Sequence, residues 1–303
     1  MIKGLAITPP ILGRISIGKV VEKAGKRLPE KDDQFTITTQ VQNKEGWLLH
    51  PLDEQLRKDA PNGKLRSIPV RMLFNDPDLN LRAAYTLFDR NKGRPLCVGD
   101  GETCRRMQNG SVETLPCPSP DVCEVGRGAC KPFGRLNVKL PGDDELGSFI
   151  FRTTGFNSIR VLAARLSFFS AVSGNRLAYL PLELRLRGKS TTQSHRAPIY
   201  YVDLTLREGM TLADAVVQAK EQEAQHQQAG ICQDALDEAA RAGFGNGISE
   251  ESVEDTPALV EEFFAEDAGT DPEEGTTPPP PAGLRGKLGQ KANGQATPIM
   301  GTA

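Results

Sequence analysis

Five cysteines fall within 34 residues, in the stretch CVGDGETCRRMQNGSVETLPCPSPDVCEVGRGAC from Cys97 to Cys130. Six residues separate Cys97 from Cys104, twelve separate Cys104 from Cys117, five precede Cys123 and six precede Cys130. Gly, Pro, Asp and Ser fill the gaps, so the stretch reads as loop and knuckle, not helix or sheet interior. Loop this poor in apolar side chains cannot hold a shape by burial; a covalent or coordinate bond has to do so. The opening Met1-Ile2-Lys3-Gly4 carries neither an apolar h-region nor a small-residue cleavage site. The expected compartment is therefore the reducing cytoplasm, where clustered thiols bind metal more often than they pair. A closed structural zinc site takes four tetrahedral thiolates. The expected ligands are Cys97, Cys117, Cys123 and Cys130: the last three form a compact trio and Cys97 closes the loop from outside. Cys104 is the alternate first ligand. The spacings differ from the short knuckles of common zinc ribbons, and two readings compete with structural zinc: an iron–sulfur cluster, which also takes thiolates, and uncoordinated loop thiols. Catalytic zinc is not expected, because His50, His195 and His226 lie far away in sequence and no HExxH is present.

Other chemistry is hard to find. The chain has no GxSxG, P-loop or GxGxxG, and no pair of carboxylates sits in a setting suited to acid–base work. We expect no enzyme; a metal-dependent hydrolase is the disfavoured alternative. Charge is more informative. The net charge of −2 hides a division: residues 1–210 carry 32 Lys and Arg against 22 Asp and Glu, whereas residues 211–303 carry 5 against 17. A basic body suits a polyanionic partner, and an acidic tail suits a basic protein or the body's own binding surface. No apolar run approaches eighteen residues, so no membrane span is expected.

The elements that must carry the cysteines are mostly strands. Ile11 to Val21 reads as a strand, Glu22 to Asp33 as a charged turn, and Gln34 to Gln42 as the returning strand of a long hairpin. Trp47 to Leu56 leads into a short helical turn, with His50 a packed loop histidine. Ile68 to Phe74 reads as a strand held at a sheet edge by Pro69, and Leu81 to Asp89 as the strand that delivers the chain to Cys97. Beyond the cysteines, Arg135 to Leu140 and Phe149 to Thr153 alternate as strands. Ser158 is the expected N-cap of a buried helix from Ile159 to about Ala171. Leu177 to Arg187 and Pro198 to Arg207 form a second hairpin, with Leu180, Leu182, Leu184 and Leu186 inward and Glu183, Arg185 and Arg187 outward. Its cations and the neighbouring Tyr200 and Tyr201 suit stacking and phosphate contact with single-stranded DNA. A helix from Thr211 to Gln228 should end at Gly230 and project its polar far end into solvent; a weaker one follows over Ile231 to Ala242. From Gly243 onward the composition predicts disorder, except that Leu259, Val260, Phe263 and Phe264 within 257–265 keep the spacing of a docking peptide.

These residues resemble a known family. RISIG, KRLPEKDDQFTITT, LCVGDGETCRR, PCPSPDVC, CKPFGRLNVKL, TTGFNSI, AYLPLELRLR and YYVDLTL occur in this order from Arg14 to Leu206. They are similar to the phage Gp-three-like recombination directionality factors, which partner large serine integrases and turn them from integration to excision. Cys97, Cys117, Cys123 and Cys130 fit that pattern, and Cys104 stands where a small residue is expected. The tail beyond Met210 has no counterpart in it.

The reading is an α+β protein with a mainly antiparallel β core over residues 1–210, one buried helix and a zinc knuckle inserted at 97–131. A five-stranded barrel of the oligonucleotide-binding type is the candidate closure; a helical segment (211–242) and an acidic tail (243–303) follow. The expected role is a non-enzymatic recombination accessory of a phage, plasmid or integrative element. It would present the knuckle with Arg105, Arg106, Lys131 and Arg135 to a serine integrase or DNA. The alternative is a single-stranded-DNA-binding replication accessory acting through Arg185, Arg187, Tyr200 and Tyr201. In either case 257–265 would hook a protein partner.

Overall fold

The computed structural model describes residues 10–23, 26–43, 46–89, 91–141, 147–190, 192, 198–243 and 263. Along the chain come β1 (Ile11–Lys23), β2 (Lys26–Asn43), β3 (Gly46–Leu49), α1 (Pro51–Asp59), β4 (Ser67–Met72), α2 (Pro77–Asn80) and β5 (Leu81–Phe88). β6 (Pro95–Gly99), β7 (Thr103–Gln108), β8 (Ser111–Pro116), β9 (Lys131–Lys139) and β10 (Ser148–Thr153) follow. α3 (Phe156–Val172), β11 (Leu182–Ser190), β12 (Pro198–Leu206), α4 (Leu212–Gln228) and α5 (Gln233–Gly243) complete the order. All of these lie in one compact unit, residues 1–268.

The fold is α+β, as the alternating strands require, but the sheet is open and no barrel closes. Its main path runs β3-β2-β1-β10-β9-β5-β6-β7-β8, and β4 joins β9 to the β11–β12 hairpin. The branch arises because β5 pairs with β9 only up to Leu136, after which Arg71 and Met72 of β4 take over at Lys139 and Val138. Every pairing is antiparallel except β1 with β10. β4 is therefore not an edge strand: Pro69 is tolerated because the contact with β9 is confined to Arg71 and Met72.

Strand alternation sorts the side chains into two faces. Ile15, Phe151, Leu136 and Leu81 stand in register across four strands and belong to the main core. α3 closes this face with Leu162, Leu166 and Phe169, and Ala215 and Ala219 of α4 join the same cluster. The alternate row presents Arg152, Arg135 and Arg82 side by side on the opposite face.

Several expected boundaries move. The charged segment from Glu22 to Asp33 is not a turn: the β1–β2 ladder continues to the pair Lys23 and Lys26 as a two-stranded ribbon, in which backbone pairing needs no apolar side chain. α3 starts at Phe156 with Gly155 as its cap; Ser158 is buried instead, and its Oγ accepts from the Val202 amide at 3.0 Å, fastening the helix to β12. Glu183 does not face outward: it is buried, and it accepts from Arg185 and Thr205 at 2.7 and 3.1 Å. The far end of α4 is held, by an Arg176–Glu223 ion pair at 2.6 Å and by His226 edge-on to Tyr179. His50 is a packed histidine: it caps α1 by accepting from Leu52 N and meets Phe149 edge-on at 5.0 Å. The expected disorder beyond residue 243 lies outside the described residues, Phe263 excepted.

α5 is tied down by Asp237, whose Oδ2 accepts from the amides of Asn75 and Asp76 at 3.0 and 3.2 Å. Burial raises the pKa of this carboxyl against the hydrogen bonds that favour its charge. A folded-state value above the unfolded one means the folded chain holds the proton more tightly, so the contribution is fully present in acid. It is lost as pH rises through the folded-state pKa. Intrinsically corrected hydrogen exchange at the Asn75 and Asp76 amides should therefore accelerate from mildly acid to neutral pH, and Asp237→Asn should remove that trend.

Candidate metal centre and the cations around it

The knuckle is more regular than its composition suggests. Cys97 lies on β6 opposite Arg106, and Cys104 lies on β7 opposite Gly99 and Leu115. β7 and β8 close through Asn109-Gly110, both at positive φ (49° and 80°), the backbone a two-residue hairpin demands. This corrects the reading of the whole stretch as loop. The Asn-Gly between TCRRMQ and SVETLP is the sequence signal for this hairpin. Only the run from Cys117 to Cys130 is irregular, held by Cys117 N to Glu102 O at 2.8 Å, Arg127 N to Cys123 O at 3.1 Å and Ala129 N to Gly126 O at 2.7 Å.

Two glycines set how closely the sulfurs approach. A Cβ on Gly99 would stand 2.7 Å from Cys104 Cβ and 2.9 Å from Cys117 Sγ; one on Gly126 would stand 2.7 Å from Cys130 Cβ. Both positions must stay bare for the cysteines to gather. Cys104 Sγ donates to Pro116 O at 3.7 Å, and burial first, then the neighbouring Cys97 thiol, push its pKa up to about 11. Cys130 is pushed up to about 12, by burial first and then by the charges of Cys97, Cys123, Cys117 and Cys104. Cys104, which the family pattern had left out, thus lies with Cys117 beside Gly99 on the strand next to Cys97, and Cys123 lies with Cys130 beside Gly126. Cys232 is apart, exposed before α5, and none of the six is in a disulfide.

The donor set suits a thiophilic cation in kind. Gly126 N donates to Cys123 Sγ at 3.4 Å, and Arg106 Nη2 reaches Cys104 Sγ at 3.8 Å. Amide and guanidinium donors aimed at sulfur stabilise the thiolate form that a metal needs. Among the described residues, no group of three or more His, Cys, Asp or Glu side chains is already closed to a metal-holding arrangement.

The cations expected beside the knuckle divide between the two faces of the sheet. Arg106 turns toward the thiols, on the side of Cys97 and Cys104. Arg105, Lys131 and Arg135 occupy alternate register positions and face the other way. Period-two alternation separates neighbours in sequence that linear reading had grouped. Lys131 lies 5.9 Å over the ring of Phe263, and Arg135 lies 5.4 Å over that of Phe133.

The cations on the second hairpin are already engaged within the chain. Arg185 pairs with Glu183, and Asp203 holds Arg187 at 3.2 Å and Arg165 at 3.1 Å. Tyr200 packs against Gly188, and Tyr201 lies 5.8 Å beneath the Lys189 ammonium. These residues sit on the β11–β12 branch, away from the β6–β8 end of the path.

Compared with protein families, residues 12–207 match the model of the Gp3-like, recombination directionality factor-like family. The matched span covers more than half of the chain and contains every cysteine of the knuckle, and the chain belongs to this family. No curated protein and no solved structure matches it.

Proposed function

We propose that the chain is a non-enzymatic recombination directionality factor that acts on a DNA-bound serine integrase, with the cysteine knuckle as its docking platform. Family membership over residues 12–207 supports a recombination accessory role. The observation that carries the finer reading is the crowding of Cys104 and Cys117 around Gly99 and of Cys123 and Cys130 around Gly126, at the β6–β8 end of the sheet where Cys97 also lies. In this reading Cys97, Cys117, Cys123 and Cys130 hold a structural zinc ion. The metal supplies the rigidity that so few apolar side chains cannot.

Direct single-strand binding through the second hairpin has less support, because Arg185 and Arg187 already pair with Glu183 and Asp203. The test is an electrophoretic mobility shift with attachment-site DNA, with and without a serine integrase from the same genetic element. A supershift that requires integrase, together with a switch from integration to excision products, is the expected result. Salt-sensitive binding to bare single strands, indifferent to integrase, would overturn the reading.

A further inference from the structure

The β4–β11–β12 branch carries two guanidiniums without a counter-ion among the described residues. Glu183 of β11 stands opposite Pro69 of β4 and Thr205 of β12. Arg71 and Arg207 lie two residues beyond those partners and so share the same face, turned away from Val70, Met72 and Leu182 of the main core. Pro181 lies between them, and Arg207 N donates to its carbonyl at 3.2 Å, which carries the β11–β12 ladder past Leu206. Both arginines are half-buried, and Arg71 Nη1 and Arg207 Nε are shielded from solvent with no hydrogen-bond partner. The acid beside them is already engaged: Glu183 accepts from Arg185 at 2.7 Å and from Thr205 at 3.1 Å. Burial lowers the pKa of both groups; the charge of Arg207 lowers that of Arg71 further, while Glu183 acts on Arg207 in the opposite sense. Guanidiniums stay protonated all the same, so two positive charges stand close together, partly out of water.

A third side chain on this face is unpaired. Asn137 of β9 lies two residues before Lys139, the register partner of Arg71. It is 1% exposed, and neither its Nδ2 nor its Oδ1 has a hydrogen-bond partner. Buried polar groups in folded proteins are nearly always paired, with water or a bound ion where the chain offers nothing. Water would leave both charges uncompensated, at a cost in stability. An oxyanion compensates them, and a tetrahedral phosphate presents oxygens to two planar arginine forks at once.

We propose that Arg71, Arg207 and Asn137 form a binding site for a phosphate group, either the free ion or one carried by a small molecule such as a nucleoside monophosphate. The two arginines supply the charge, and Asn137 supplies a neutral donor from the neighbouring strand. Its occupant braces β4, β9 and β12 where the sheet branches. The site shares no residue with the cysteine knuckle and stands or falls independently of the integrase reading.

Differential scanning calorimetry of the full-length chain tests it. Inorganic phosphate at about 10 mM should raise the melting temperature by about 5 °C over chloride of equal ionic strength. Arg71→Gln and Arg207→Gln, made separately, should lose most of that rise, yet melt no earlier than the natural chain in chloride, since each removes an unpaired charge. No rise above chloride in the natural chain, an equal rise in the variants, or earlier melting of the variants in chloride would each overturn the site. Phenylglyoxal labelling read by peptide mass spectrometry locates the ion in the natural chain. Phosphate should slow modification of Arg71 and Arg207 about tenfold and leave the exposed Arg160 unchanged; equal slowing at all three would also overturn the site. Deoxyadenosine monophosphate then decides the source: a larger rise than with phosphate assigns the group to a nucleotide, and a rise no larger assigns it to the free ion.

Discussion

Serine at Cys123 should empty the knuckle of metal. Purified natural protein is expected to contain about one zinc per chain, and the Cys123→Ser variant close to none by elemental analysis. Structural zinc contributes on the order of 10 kcal/mol to the folding of a small site, so the loss should not be silent. The segment from Cys117 to Cys130, held otherwise by a few turn hydrogen bonds, should become the first site of limited proteolysis. The β1–β2 and β11–β12 hairpins should stay resistant. Iron with visible charge-transfer absorbance in place of zinc would identify a cluster instead. Full zinc in Cys123→Ser would remove that residue from the site. Cys104→Ser is the companion measurement: retained zinc leaves Cys97, Cys117, Cys123 and Cys130 as the ligand set, and lost zinc brings Cys104 into it.

The second large effect is expected far from the knuckle. Asp53, in the first turn of α1, is 1% exposed and accepts from the Ile37 amide at 2.8 Å and from Arg57 Nε at 2.6 Å. Arg57 extends the network to Phe35 O and Gln34 Oε1, both at 2.6 Å. One carboxylate thus fastens α1 to β2 and keeps a partly buried guanidinium compensated. Removing one partner of such a pair costs about 3–5 kcal/mol, because the other is left without its counter-charge. Asp53→Ala should therefore lower the melting temperature by roughly 10 °C, read by differential scanning calorimetry with metal present. Asp53→Asn, which keeps an acceptor for Ile37, should lose distinctly less. Equal, small losses in both would mean that burial of Leu52 alone holds the helix.

Both experiments rest on features of different legibility. Wherever apolar residues alternate strictly, as at Phe35 and Ile37 or Leu182 and Leu184, the strand was visible because its period of two is a local property. The two long hairpins were visible for the same reason, the helices after Phe156 and Thr211 by their caps and 3.6-residue apolar spacing, and the stop at Gly230, whose φ is +81°, by its residue type. The five thiols were visible as residue types. Their division into strand-borne Cys97 and Cys104 and turn-borne Cys117, Cys123 and Cys130 was not, because thiol chemistry is independent of the backbone that carries it. Asp53 and Glu183 were not legible either: an acid in a polar-looking position reads as solvated until its partner, far along the chain, is known.

The sequence by itself determined the apolar strands outside the cysteine stretch, the cysteine group, the family and the opposition of a basic body to an acidic tail. These follow from short-range periodicity and from composition. Only the tertiary structure decided that the sheet stays open, because closure depends on which strand takes over an edge of β9. It alone decided that Arg106 faces the thiols while Arg105, Lys131 and Arg135 face away, since a cation's side of the sheet is set by pairing register. The meeting of Phe263 with Phe88 and Phe133 was likewise beyond the sequence, because it joins segments about 130 and 175 residues apart that share no local pattern.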